Sequence, residues 1–560
     1  MQSNWLKHYP PGVPAEVEVH RHASLIALFE QSCARFRARP AFSNLGVSLS
    51  YDDIDRLSRA FAAYLQGQLG LAKGERIALM LPNLLQYPVA LFGALRAGLT
   101  VVNVNPLYTA RELRQQLADS GAVTIMVLEN FAHTLQEAIA DTAVRHVVTT
   151  QVGDLLPPLK RGLVNFVVKH VKHMVPPWNL PGAVAFNAAL HTGARHALTE
   201  VALGPDDIAF LQYTGGTTGV AKGAILSHGN MVANVEQTSA WIGGAFREGE
   251  EVVVTPLPLY HIFALTANLL TFVKWGANNV LITNPRDIPG FIKELKKTRF
   301  TVITGVNTLY RILLDAPGFI RVKEANGDAL KLAVAGGMSL QAAVAERWQQ
   351  IWGVPLIEGY GLTEASPIVS ANPLDATAFS GAIGLPLPST EIRLRDEAGL
   401  NPAPGQPGEL CVRGPQVMRG YWNMPEETTG VLDAEGWLAT GDVVTMDERG
   451  YLYFVDRKTD VIVVSGFKVW PAEVEDVLLH LPGIKEAGVA GVPDEKSGEA
   501  VWAWVVKSDP TLSAQQIIDA CHAELAHYKT PHQVIFRDSL PKSPIGKILR
   551  RKLKDEALGA

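Results

Sequence analysis

YTGGTTGVAKG, residues 213–223, is the stretch on which the reading of this chain turns. Its eleven residues hold four glycines, three threonines, one lysine and no acid. Glycine lets backbone N–H groups turn toward an anion with no Cβ in the way, threonine hydroxyls add donors, and Lys222 adds a mobile positive charge. The preceding IAFLQY, residues 208–213, is short, apolar and aromatic and predicts a buried strand. Residues 230–235 suit a helix. Strand, loop and helix together describe a polyphosphate cradle; a plain surface turn is the competing reading. The P-loop pattern is not met, because Ala221 precedes Lys222 and Gly223 follows it. The pattern G-x-G-x-x-G is also absent from the loop.

Upstream, predicted helices over residues 25–39, 52–69, 84–97, 110–120 and 131–139 alternate with predicted strands over 76–81, 100–104, 123–128 and 146–148. Further strands are predicted at 252–254, 302–306 and 332–337. Such alternation implies an α/β fold with parallel sheets covered on both faces. Ligands then bind at the carboxyl ends of strands, where residues 213–223 would lie.

At 560 residues the chain exceeds what one core supports, so at least two domains are expected. Its 47% hydrophobic and 19% charged content is that of a folded soluble protein, and a net charge of -5 gives no reason to expect nucleic acid. Cys33, Cys411 and Cys521 are widely spaced, with no metal-ligand spacing, which fits a reducing compartment. The opening MQSNWLKHYPPGVP lacks an apolar signal core. The nearly uncharged run 252–273 is interrupted by Pro256, Pro258, His261 and Asn268, so it reads as strand, loop and helix rather than a membrane span. The expected location is the cytoplasm.

Residues 155–199 contain no acidic residue. Leu163, Val167, Val171 and Met174 follow helical spacing there, and Lys160, Arg161, Lys169 and Lys172 supply charge. A basic amphipathic helix of this kind can lie on an anionic membrane; an ordinary surface helix has the same pattern. Further on, residues 356–364, LIEGYGLTE, offer an aromatic face, a hydroxyl and a carboxylate at a predicted strand end, which a purine, a phosphate and a magnesium ion would need. His261 sits among apolar neighbours, where a histidine by itself is more often a satisfied core residue than a functional one. From Gly381 short strands and Pro/Gly turns predict a small β subdomain. The charged run Asp456, Arg457, Lys458, Thr459, Asp460 between apolar strands predicts an exposed linker. The last hundred residues predict a small α/β domain whose tail, residues 541–547, is extended and cationic.

Taken together, residues 213–223, the 359–364 segment, Thr440-Gly441-Asp442, the 456–460 run and Lys547 resemble the adenylate-forming superfamily in order and spacing. PNLLQYPVALFGALRAG from Pro82, VVNVNPLYT from Val101, the residues ending at Leu265, LITNPRDIPG from Leu281 and EGWLATGD at 435–442 are similar to bacterial long-chain-fatty-acid–CoA ligases. The similarity spans essentially the whole chain. It implies a large N-terminal domain of parallel α/β subdomains plus a small β subdomain (1–455, the β part about 381–455), a hinge at 456–460, and a small mobile α+β C-terminal domain (461–560).

The chemistry implied is activation of a fatty acid by ATP to an acyl-adenylate, then thioester formation with CoA, feeding fatty acid degradation. By this resemblance Tyr213, Thr214, Gly215, Gly216, Thr217, Thr218, Gly219 and Lys222 hold the β- and γ-phosphates, while Glu364 and Thr214 hold Mg2+. Thr363 contacts the α-phosphate. Tyr360 stacks on adenine beside Gly336 and Gly337, with Glu358, Gly359 and Gly361 around it. Asp442 accepts from both ribose hydroxyls, with Arg457 near. Lys547 bridges the carboxylate and α-phosphate. His261, Ile262, Phe263 and Leu265 line an apolar tunnel, and Ser465, Gly466 and Phe467 let pantetheine pass. Thr459 departs from the family's usual Asp or Lys, which puts the hinge's energetics in question. Expected partners are fatty acid, ATP and CoA and no nucleic acid, with peripheral contact with the inner membrane surface and a homodimer as options. A medium-chain or aryl-acid ligase, or one loading a carrier protein, stays open as an alternative.

Overall fold

A computed structural model describes residues 4–214, 221–396, 398–465, 467–494, 496–543 and 546–558. The chain forms two compact units. One comprises Leu6–Glu391 and Arg413–Leu438; the other comprises Met1–Trp5, Ile392–Val412 and Ala439–Ala560. The β section at 392–412 and 439–457 is thus grouped with the C-terminal residues.

The larger unit holds two sheets among the described residues. In the first, the strands run Val184–Ala185, His146–Thr150, Thr124–Leu128, Arg76–Met80, Thr100–Asn103, Ile208–Thr214, Lys222–Ser227. All pairings are parallel except the last, which is an antiparallel hairpin with Thr214 opposite Lys222. This corrects the predicted strand–loop–helix order. A second strand follows the loop, and the helix His228–Ile242 starts only after it, at a capping box between Ser227 and Asn230. KGAILS is too short and too mixed to announce itself as a strand. The predicted alternation upstream is present, with the helix Ala110–Ser120 opened by a Thr109–Glu112 capping box and closed by left-handed Gly121.

The second sheet has a parallel centre: Leu356–Gly361, Leu332–Gly336, Val302–Gly305, Val252–Thr255, Asn278–Leu281 and Pro40–Asn44, with antiparallel strands at both edges. Val252–Thr255, Val302–Gly305 and Leu332–Gly336 are mainly apolar, as strands with two covered faces are. Tyr310, Phe319, Trp348 and Trp352 pack together on one face.

The smaller unit contains a four-stranded sheet (Glu391–Arg395, Gly408–Arg413, Leu438–Met446, Leu452–Arg457) and a sheet built on the long antiparallel pair Ile484–Asp494 and Gly498–Lys507. The 456–460 run is exposed only in part: Lys458 and Thr459 face solvent as the charges predict, but Asp456 does not. Asp456 is fully buried, because Arg550 Nη1 donates to its Oδ1 at 2.7 Å and the Ala472 N–H to its Oδ2 at 2.7 Å. Arg550 also reaches Asp460 at 3.1 Å and grips Glu475 with two bonds of 2.9 and 2.6 Å. Burial alone would work against the Arg550 charge, but the Glu475 and Asp456 carboxylates hold its pKa above the ordinary value.

Candidate active site

The predicted site residues fall in two clusters, one in each unit. In the larger unit the hairpin places Thr214 and Lys222 side by side at the mouth of the loop. The backbone of residues 419–422 continues the sheet beyond this hairpin. The Ile225 N–H donates to Gly420 O at 2.9 Å and the Trp422 N–H to Gly223 O at 2.8 Å. That placement brings in Tyr421, which no periodicity or spacing in the sequence marks.

Tyr421 Oη donates to Glu364 Oε1 at 2.8 Å, and burial together with the Glu364 charge keeps this phenol well above its usual pKa. Lys222 Nζ lies 5.2 Å from the centre of the Tyr421 ring and forms an ion pair with Glu427. Thr363 and Glu364 occupy the short turn Thr363–Ala365, tied down where the Met418 N–H donates to Glu364 O at 2.7 Å. Thr214, Lys222 and Glu364 are therefore brought together, with Tyr421 and Glu427 as members that sequence reasoning missed. Tyr213 is turned elsewhere: its hydroxyl donates to the Asp119 carboxylate, and its ring packs against Gly223. Gly215, Gly216, Thr217, Thr218 and Gly219 lie outside the described residues.

Next to this cluster, parallel strands end together with Gly336 opposite Gly359. A Cβ on Gly336 would stand 3.1 Å from both Gly359 O and the Phe263 ring, so only glycine leaves this edge open. Gly337, at φ +77°, turns the chain away from the strand end. The Glu358 carboxylate accepts from the Leu340 N–H at 3.2 Å, and burial raises its pKa to about 8. It therefore ties down the turn that follows Gly337. Tyr360 and Gly361 continue the strand, half-buried and exposed respectively.

The predicted apolar wall adjoins this edge through Phe263. Ile262 and Leu265 are buried, and Leu265 belongs to the π-helical segment Ala264–Leu270, a form frequent at functional sites. Thr266 Oγ1 anchors that segment to Ser366 O at 2.7 Å, two residues past Glu364. His261 Nδ1 accepts from the Phe263 N–H at 3.3 Å, and burial lowers its pKa to about 4, so the imidazole is neutral at pH 7.

In the smaller unit, Asp442 and Arg457 face each other across antiparallel strands, with Arg457 Nε 3.4 Å from Asp442 Oδ1. Thr440 Oγ1 receives the Asp442 N–H at 3.1 Å and fixes the turn through Gly441. Burial lowers the pKa of Lys547 to about 8; Arg457 and Arg550 push it the same way, while Asp442 and Asp460 oppose them. Ser543 secures this lysine's backbone, its Oγ accepting from the Lys547 N–H at 3.1 Å. Lys547, Asp442 and Arg457 thus share one electrostatic environment. Ser465 sits at φ +51° with its N–H on Ser497 O at 2.7 Å, and Phe467 stacks on Tyr528 with ring centres 4.8 Å apart. Gly466 lies outside the described residues.

An edge of glycines beside a carboxylate–hydroxyl–lysine cluster is what nucleotide chemistry requires, and comparison with known proteins agrees. Residues 29–422 match the family described as AMP-binding enzyme, and residues 473–547 match the AMP-binding enzyme C-terminal domain. The chain belongs to the AMP-binding enzyme family. It is 56% identical to the long-chain-fatty-acid–CoA ligase of Escherichia coli O157:H7, covering 100% of this chain and 99% of the relative. It is 54% identical to the protein of that name from Yersinia pestis, over 99% of this chain and 98% of the relative. Among solved structures, ATP-bound MatB from Rhodopseudomonas palustris superposes with a TM-score of 0.79 at 27% identity, covering 95% of this chain and 99% of that one.

Proposed function

We propose that this enzyme converts a long-chain fatty acid to its acyl-CoA in two steps. A carboxylate is a poor electrophile because its leaving group would be oxide. Its oxygen attacks the α-phosphorus of ATP, the bond to the β-phosphate oxygen breaks, and pyrophosphate leaves. The CoA thiol, losing its proton, then attacks the acyl carbon, and AMP departs as the thioester forms. The first step brings a carboxylate toward a polyanion, so positive charge and positioned donors dominate its barrier.

The observation that carries this reading is Phe263 against Gly336. An apolar wall, His261 to Leu265, meets the glycine edge of a nucleotide site within one unit. The adenylate's acyl chain and its AMP need these two neighbours. Thr214, Lys222 and the loop between them serve the β- and γ-phosphates, Thr363 the α-phosphate, and Tyr360 the adenine face beside Gly337. Asp442 takes the ribose hydroxyls with Arg457 alongside, and Lys547 stabilises charge as the carboxylate meets the α-phosphate. Ser465 and Phe467 border the pantetheine path. A neutral His261 suits a wall for an alkyl chain, where each buried methylene contributes roughly 0.8 kcal/mol.

Glu364 and the Thr214 hydroxyl fit magnesium as it is held in nucleotide sites, by one carboxylate plus substrate phosphate oxygens. No group of three or more His, Cys, Asp or Glu that could hold a metal exists among the described residues. The bound ion would neutralise phosphate charge; Tyr421 holds the Glu364 oxygen that orients this ligand. Residues 456–460 are the hinge between half-reactions, and Arg550, which grips Asp456 and Asp460, is the group that restrains them. The reaction belongs in the cytoplasm, with the inner membrane face as a neighbour.

Incubation with ATP, magnesium, CoA or a carrier protein, and an acid series from hexanoic to octadecanoic tests this reading. AMP and a CoA thioester forming fastest with the long acids is expected. Preference for a short or aryl acid, or for the carrier protein, would replace it with one of the alternatives.

A further inference from the structure

The segment 158–174 is built inside out. Pro158–Phe166 is a helix that continues as the π-helical turn Val167–Val171, and neither contains a buried residue. Leu159, Leu163 and Phe166, at i, i+4 and i+7, share the face that ordinarily seeks a core. Here that face is turned to water: Leu159 is 92% exposed, Leu163 64% and Phe166 58%, with Val171 60% and Met174 52% just beyond. The polar side does the anchoring. Asn165 Oδ1 accepts from the Gly153 N–H at 2.7 Å, its Nδ2 donates to Asp154 at 3.4 Å, and Lys160 caps Leu45 O. The far end is tied where Asn130 Nδ2 donates to Met174 O at 2.9 Å. A helix secured through Asn165 and Lys160 that leaves Leu159, Leu163 and Phe166 outside is matched to something apolar.

Charge says what that something is. Residues 155–199 contain no acid, while Lys169, Lys172, His170 and His173 are exposed around the apolar face. A second copy of this chain would set like charges against each other. An anionic bilayer accepts both features, the alkyl and ring groups at the headgroup boundary and the cations at the phosphates.

We propose that residues 158–174 form the element by which this protein docks on anionic lipid. This rests on the peripheral-membrane reading above for its setting, and it adds the surface and the lipid chemistry. A product that forms beside the membrane would be made where free long-chain fatty acid is dissolved.

Sedimentation of the full chain with phosphatidylcholine vesicles, with and without phosphatidylglycerol, is the test, because it reads lipid binding without reference to ligase activity. Binding to the anionic vesicles at least tenfold above the zwitterionic ones is expected, falling with salt. Each lysine near such a surface contributes about fivefold, so Lys169→Glu/Lys172→Glu should reduce binding at least tenfold. Leu163→Ser/Phe166→Ser should reduce it comparably, while AMP formation with a short soluble acid is unchanged in both variants. The three native cysteines are buried, so Phe166→Cys offers one accessible thiol for an environment-sensitive dye, whose emission should shift to the blue on anionic vesicles. Equal binding to both vesicle types, binding untouched by both double variants, or a dye that stays wet while the protein sediments would overturn the proposal. So would a fall in oligomer size in the leucine variant, which would assign the face to a second copy. Loss of ligase activity with vesicle binding intact would instead count against the reaction assigned above and leave the docking surface standing.

Discussion

Lys222 and Lys547 are both assigned to the same polyanionic substrate, yet the protein keeps them in opposite conditions. Lys222 waits with its charge already matched, paired to Glu427 and set over the Tyr421 ring. Lys547 has no carboxylate within ion-pair distance among the described residues, and burial with two nearby guanidinium groups lowers its pKa to about 8. A lysine that grips a preassembled phosphate chain can exchange one anion for another at small net cost. A lysine that must stabilise charge as it develops is worth more if desolvated and unpaired, so that the substrate becomes its counter-ion.

The contrast breaks most readily at Lys547. Lys547→Ala should slow acyl-adenylate formation by a factor on the order of 10²–10³, the cost of a lost preorganised donor. CoA transfer to preformed adenylate should stay within a few-fold of wild type. Separate single-turnover assays of the two half-reactions check this, and equal losses in both would mean that the two lysines are not divided in role.

Protonation sharpens the same point. Deprotonation near pH 8 removes the Lys547 charge, so kcat/KM for adenylation should hold below that pH and fall about tenfold per unit well above it. The sign follows from a cationic acid with a lowered pKa: charged below it, neutral above. Lys547→Arg should move the falling limb beyond the measured range even if its absolute rate is low. An unmoved limb would assign the titration to another group.

On the other side, Tyr421→Phe removes a hydrogen bond to a charged carboxylate, an interaction of about 1.5–3 kcal/mol. The magnesium concentration for half-maximal adenylation should rise roughly ten- to a hundredfold, with the maximal rate recovered at saturation. A lower maximal rate with unchanged magnesium dependence would show that Tyr421 does not act through Glu364. The smallest effect belongs to Glu427→Gln. Removal of an exposed competitor of the phosphates, a pair of about 0.2–1 kcal/mol, should tighten pyrophosphate inhibition by roughly two- to fivefold.

The alternation of helices and strands was legible because apolar periods of 3.6 and 2 are local properties of the chain. The helices Leu25–Phe36 and Ala110–Ser120 occur where their patterns place them. The hairpin strand Lys222–Ser227 was not legible, since its pairing partner rather than its own residues makes it a strand. Asp456 was misread for the same kind of reason. A run of charges looks exposed until a distant cation, here Arg550, comes to neutralise it. Tyr421 and Glu427 carried no signal, because their role depends on residues 419–422 joining a sheet edge about two hundred residues away in sequence. The basic helix was visible as a stripe, but which of its faces met the fold was not.

What the sequence determined by itself was the kind of chemistry. Gly, Thr and Lys in one loop describe a polyphosphate cradle, because donor sets and backbone freedom belong to residue types, and the resemblance of the motifs to a known family added carboxylate activation. Tertiary structure alone decided the state of each charge: which lysine is matched, which is held bare, which aspartate is buried and which leucines face water. Desolvation and pairing depend on neighbours brought from far along the chain, and no local pattern encodes them.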